Sequence, residues 1–208
     1  MSSRPAAEAV GRAAAVSALP NWLSAVRIGL VPIIVVVLLW PTPGARGIAA
    51  LCFLVACITD FLDGWLARRR GITTALGQFL DPLADKLIVA AVIIMLAAMP
   101  PEPRVPAWMA VVIVLRELAV TGLRSIASTG GVHLPAQELG KYKMIFQMFA
   151  LEALLLHYAY PIPGTGLLVD FHAGGMLFLW IALAFAVWSA VDYFVQTFRG
   201  GRWTERVG

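Results

Sequence analysis

Four carboxylates mark the place where this chain could do chemistry: Asp60, Asp63, Asp81 and Asp85. They lie in the stretch DFLDGWLARRRGITTALGQFLDPLADK, between the apolar runs LCFLVACIT and LIVAAVIIMLAAM. The chain of 208 residues is 60% hydrophobic and only 13% charged, so four acids so close together stand out. Acids in apolar surroundings are costly unless something pairs with them. Four that converge repel one another, and either protonation or a divalent cation relieves that repulsion. The stretch holds neither His nor Cys, and an all-oxygen ligand set suits Mg²⁺ or Mn²⁺.

The spacing can bring these acids together. On a helix, Asp60, Asp63, Gly64, Ala67 and Arg68 fall within an arc of roughly 140° at about 100° per residue. Gly77, Asp81 and Asp85 step by four and drift slowly along one face of a second helix. The polar turn RRRGITTAL joins the two, so an antiparallel pair would turn both acidic faces toward each other. Gly64 and Gly77 remove side chains where a bulky ligand must approach the backbone. Arg68, about two turns from Asp60, is a natural partner for a phosphate or a carboxylate. An ion-paired turn between two membrane helices would account for Asp60, Asp63 and the arginines at 68–70. It would leave Asp81 and Asp85 unexplained inside the next helix.

The elements that must position these residues are membrane helices. Composition and long apolar runs place the chain in the membrane class. Breakers at PTPGARG, MPPEPRVP and PIPGTGLLVDFHAGG, with the polar 129–138 loop, predict an all-α bundle of six transmembrane helices. The expected spans are roughly 19–40, 46–69, 75–99, 105–128, 139–160 and 174–198. Pro82 removes one backbone donor early in the third and predicts a local kink. Residues 1–19 read as a cytoplasmic tail or a short surface helix, 20–199 as the membrane domain and 200–208 as a cytoplasmic tail. With the N-terminus cytoplasmic, the inner loops and ends carry eleven Lys and Arg residues, and the outer loops carry only Arg46 and Arg104. That asymmetry predicts both termini inside and the acids at the cytoplasmic end of the bundle, in the cell membrane. The net charge of +4 follows from these bases, and no soluble basic domain exists to bind nucleic acid. Cys52 and Cys57 share one apolar run and read as small hydrophobes.

A second constellation is cationic. Arg116 and Arg124 are eight apart on the fourth helix and share a face, and Lys141 and Lys143 open the fifth. Positive-inside topology accounts for the lysines but not for Arg116 at membrane depth. An anion pocket for the phosphate of a water-soluble substrate accounts for all four. Asn21, Ser24 and Arg27 recur every three residues at the start of the first span. They read either as an interfacial cap with a snorkelling arginine or as ligand contacts.

The pattern D-x-x-D-G-x-x-A-R-x8-G-x-x-x-D-x-x-x-D, Asp60 to Asp85, resembles without a gap the signature of the CDP-alcohol phosphotransferases, membrane enzymes of phospholipid synthesis. The resemblance implies two Mg²⁺ ions, or Mn²⁺, held by Asp60, Asp63, Asp81 and Asp85, with Asp85 as general base. It implies CDP-diacylglycerol as the donor, with contacts from Asn21, Ser24, Gly64, Ala67, Arg68, Thr74 and Gly77. RE-x4-GLR, then GK-x-K and Gln147, is similar to the branch whose acceptor is sn-glycerol 3-phosphate. The acceptor phosphate would then be gripped by Arg116, Arg124, Lys141 and Lys143. Met144 and the pair Gln137-Glu138 depart from that branch's usual residues. Sister enzymes with the same donor would instead use an inositol phosphate or make cardiolipin, and a cation transporter using the acids as an ion path is a reading of another class. The family is commonly dimeric, so a second copy of the chain joins the lipid bilayer among the implied partners.

Overall fold

The structure is a computed structural model. It describes residues 25–40, 42–70, 75–99, 104–129, 138–161, 164 and 168–199, with the side chains of 63–70, 75–82, 126–129, 138–139 and 196–199 outside the description. Among the described residues there are six helices. They are α1 (Ala25–Leu38), α2 (Pro43–Arg70), α3 (Ala75–Ala98), α4 (Ala107–Thr129), α5 (Glu138–Leu156) and α6 (Phe171–Arg199). The expected N-terminal tail or surface helix and the C-terminal tail lie outside the described residues.

Local chemistry explains where the helices start. Thr42 caps α2: its Oγ1 accepts from the Ala45 amide at 3.2 Å. Pro43 then occupies the first helical position, where its missing N–H costs nothing. The helix therefore begins three residues before the expected start at 46. At α6, Asp170 Oδ1 accepts from the Ala173 amide at 3.0 Å, so this helix also begins earlier than expected. α3 runs unbroken through Pro82.

Two short strands correct the all-helical expectation. β1 (Ala159–Pro161) pairs antiparallel with β2 (Leu168–Asp170), in the register Tyr160 opposite Val169. The fifth helix was expected to reach residue 160, but it stops at Leu156. His157 adopts φ 61° and its amide closes the last turn on Ala153 O at 2.9 Å. A left-handed residue just past a helix end is a common way to terminate it. The apolar run LLLHYAY hides this stop, because its aromatic residues serve the hairpin: Tyr160 meets Phe171 edge-on at 5.5 Å.

The chain divides into two compact units at Met95 and Leu96. In the first, Ile34 and Leu38 of α1, Ala49 and Phe53 of α2, and Val92 and Ile93 of α3 are buried. In the second, α5 and α6 pack closely. A Cβ on Gly175 would lie 2.8 Å from Leu154 Cγ and 3.2 Å from Ala150 O, so only glycine allows this approach.

Two of the described helices are long and apolar enough to cross a membrane, over Pro43–Leu62 and Phe171–Val195. Only 33% of each apolar window is buried, which leaves side chains such as Leu51, Ile58, Trp180 and Trp188 facing outward. That is the reverse of a core helix in a water-soluble protein.

Candidate active site

The acidic site is described in part. α2 carries Asp60 near its middle, and Arg27 of α1 reaches it. Arg27 Nη1 donates to Asp60 Oδ1 at 2.7 Å. The guanidinium is 1% exposed and the carboxylate 26%. An arginine in an apolar helix needs an acid, and a carboxylate in this position gains a charge-assisted bond. Asp85 lies half-buried on α3. Asp63, Gly64, Ala67 and Arg68 belong to α2, and Gly77 and Asp81 to α3, but their side chains lie outside the description. Asn21, Ser24 and Thr74 lie outside the described residues altogether. Among the described residues no three His, Cys, Asp or Glu side chains gather at a cation site. Asp60 and Asp85 are the described half of the expected set. Their chemistry suits a hard cation: oxygen donors only, with one carboxylate oriented by a buried guanidinium.

The cationic constellation is described more fully. Arg116 of α4 reaches α6, where its Nε donates to Ala186 O at 3.1 Å and its Nη2 to Ser189 Oγ. Its Nη1 donates to Glu117 Oε1 at 3.2 Å, and the same oxygen accepts from Lys143 Nζ of α5. One acid thus joins two cations from two helices, and a third helix holds the arginine. Lys143, Gln147 and Ser189 are buried. Arg124 and Lys141 have exposed side chains. The structure therefore brings together Arg116 and Lys143 of the four expected phosphate contacts, through Glu117.

The sequence did not point to two of these partners, Arg27 and Ser189. Arg27 could be read as a snorkelling residue, whereas its buried head meets an acid 33 residues away. Ser189 lies in the apolar run AVWSAVDYF with nothing local to single it out, and it meets Arg116 across 73 residues. Glu117 is adjacent to Arg116, and its link to Lys143 had a signal: a carboxylate beside an arginine in an otherwise apolar run.

His157 and His172 contact each other with Nδ1 atoms 3.2 Å apart. Cys52 and Cys57 are not joined in a disulfide. Glu152 Oε2 is buried without a hydrogen-bond partner among the described residues.

The family model described as CDP-alcohol phosphatidyltransferase matches residues 17–188. A Bacillus subtilis (strain 168) protein named CDP-diacylglycerol--glycerol-3-phosphate 3-phosphatidyltransferase is 40% identical over 188 residues, covering 85% of this chain and 93% of its own. A Rickettsia bellii (strain RML369-C) protein of the same name is 38% identical over 176 residues, with the same coverage. A cardiolipin synthase (CMP-forming) from Oryza sativa subsp. japonica is 33% identical over 192 residues, covering 87% of this chain and 57% of its own.

Proposed function

The chain belongs to the CDP-alcohol phosphatidyltransferase family, and on that premise we propose that it transfers the phosphatidyl group of CDP-diacylglycerol to sn-glycerol 3-phosphate. The products are phosphatidylglycerophosphate and CMP. The observation that carries the acceptor is the group at Arg116, Glu117 and Lys143. Two cations from two helices meet one acid in a buried place, a setting suited to holding the phosphate of a small soluble acceptor. Arg124 and Lys141 supply further charge at exposed positions.

Asp85 is the proposed general base. It takes the proton of the acceptor hydroxyl, whose oxygen attacks the phosphorus that bears the lipid. The bond from that phosphorus to the oxygen of CMP breaks, and CMP departs with the electron pair. A carboxylate is a weak base for an alcohol, so the transfer must coincide with bond formation to phosphorus. Asp60, Asp63, Asp81 and Asp85 would hold divalent cations, Mg²⁺ or Mn²⁺, which supply positive charge against the donor pyrophosphate. Arg27 orients Asp60 within that set. Asn21, Ser24, Gly64, Ala67, Arg68, Thr74 and Gly77 are the proposed donor contacts.

The same reading has the six helices spanning the cell membrane with both termini cytoplasmic. Its support is the distribution of Lys and Arg between alternate loops. The lipid part of the donor then needs no pocket in water.

The rice relative gives weight to a second reading, the same donor with another acceptor. Purified protein supplied with Mg²⁺, labelled CDP-diacylglycerol and one acceptor at a time decides between them. CMP release that depends on glycerol 3-phosphate is expected. Release that depends instead on phosphatidylglycerol or an inositol phosphate would reassign the acceptor, and no release with any acceptor would return the acids to the ion-path reading.

A further inference from the structure

We infer that Ser189, with the carbonyl of Ala186, is a positioning residue that fixes the guanidinium of Arg116 for the acceptor phosphate. The inference rests on the proposed use of Arg116 in acceptor binding.

The geometry gives each hydrogen bond a direction. Ser189 Oγ lies 3.3 Å from Ala186 O, one turn back on α6, and can only donate to it. The hydroxyl hydrogen is therefore committed, and the lone pairs are left to accept from Arg116 Nη2. Arg116 Nε meets the same Ala186 carbonyl. The Nε–Nη2 edge of the guanidinium is thus gripped at two points by one turn of α6. Two contacts on one edge of a planar group fix both its position and its plane.

The consequence falls on the opposite end. Nη1 is directed at Glu117 Oε1, the oxygen that also accepts from Lys143. The end of Arg116 that faces the cationic group is set by what holds its other edge. Ser189 is 0% exposed, so water does not compete for the hydroxyl. A serine that bonds back to its own helix and accepts from an arginine on another helix does more than fill space. It also enlarges the acceptor site. The sequence assigns that site to α4 and α5, and Ser189 adds α6, one residue beyond the segment matched by the family model.

The test is the split between the two substrates. S189A is expected to raise the KM for glycerol 3-phosphate about three- to tenfold, since an arginine with one anchor removed samples more orientations. The KM for CDP-diacylglycerol and the melting temperature in detergent should stay near wild type. S189T, which keeps the hydroxyl, should recover the acceptor KM, and S189C, similar in size without a strong acceptor, should not. If S189T does not fold, the contrast of S189A and S189C with wild type decides. An unchanged acceptor KM in S189A, an equal rise for both substrates, or a loss of melting temperature that accounts for the lost activity would overturn the inference and leave Ser189 as helix packing. The wild-type assay separates the two levels. A wild type that does not use glycerol 3-phosphate rejects the proposed function and this inference with it. An active wild type with an indifferent S189A rejects the inference alone.

Discussion

Arg27 and Asp60 form an ion pair of 2.7 Å between α1 and α2, with the arginine head almost wholly buried. Removing one member of a buried pair costs on the order of 3–5 kcal/mol, because the other charge stays behind. Asp60 is partly exposed, so Arg27→Ala should fall at the low end of that range. If Asp60 is also a cation ligand, Mg²⁺ can supply part of the missing positive charge. Millimolar Mg²⁺ is therefore expected to raise the melting temperature of Arg27→Ala more than that of wild type, and Asp60→Asn should abolish the difference. Equal Mg²⁺ shifts in wild type and Arg27→Ala would show that the pair and the cation site are independent.

Asp85→Asn separates base from ligand. The amide keeps an oxygen but cannot take a proton. General-base catalysis contributes about 10²–10⁴-fold, so turnover should drop by at least about a hundredfold while CDP-diacylglycerol still binds. Direct donor binding and CMP release, measured side by side, check this. A fall in donor affinity proportional to the fall in rate would make Asp85 chiefly a ligand.

Arg124 is the exposed arginine of the cationic set. Arg124→Ala should raise the KM for glycerol 3-phosphate by about tenfold, the equivalent of one charge-assisted contact weakened by solvent. Stability should be nearly unchanged, since surface substitutions away from packed features are usually small in effect. Steady-state constants for both substrates at matched protein levels test it. A donor KM that rises in step with the acceptor KM would remove Arg124 from the acceptor site.

Gly175 tests the packing that carries Ser189. A methyl group there meets Leu154 Cγ at 2.8 Å and backbone atoms of α5 beyond 3 Å. Overpacking of this kind costs about 1–3 kcal/mol. Gly175→Ala should lower the melting temperature in detergent and, by moving α6 away from α5, disturb the acceptor KM more than the donor KM. A melting temperature equal to wild type would mean that the helices part without loss.

The order and approximate extent of the helices could be read from the sequence, because apolar runs alternate with clear breakers. The ends could not all be read. Pro43 looks like a turn residue until Thr42 is seen to cap it, and Asp170 looks like loop until its side chain meets the Ala173 amide. The stop at His157 was hidden by an apolar run that belongs to the hairpin. Asp60 and Asp85 announce themselves by being acids in a greasy chain at helical spacing. Arg27–Asp60 and Arg116–Ser189 do not, since a contact across 33 or 73 residues leaves no local periodicity. What the sequence did hold was the need: each arginine sits in an apolar helix and must find an oxygen.

The α5–hairpin–α6 unit also works as a depth gauge. From Lys143 to Leu156 along α5, and from Phe171 to Ser189 along α6, the rise is roughly 20 Å and 27 Å at 1.5 Å per residue. One end of this ruler holds Arg116, Glu117 and Lys143; the other holds Tyr158, Tyr160 and Phe171, with ring centroids 5.5–6.5 Å apart. A bilayer's hydrocarbon layer is about 30 Å thick, cations favour its cytoplasmic boundary, and aromatic rings settle at either boundary. Under the proposed topology the helix pair would carry its own vertical scale, with the cationic group near one boundary of the hydrocarbon layer and the aromatic rings near the other.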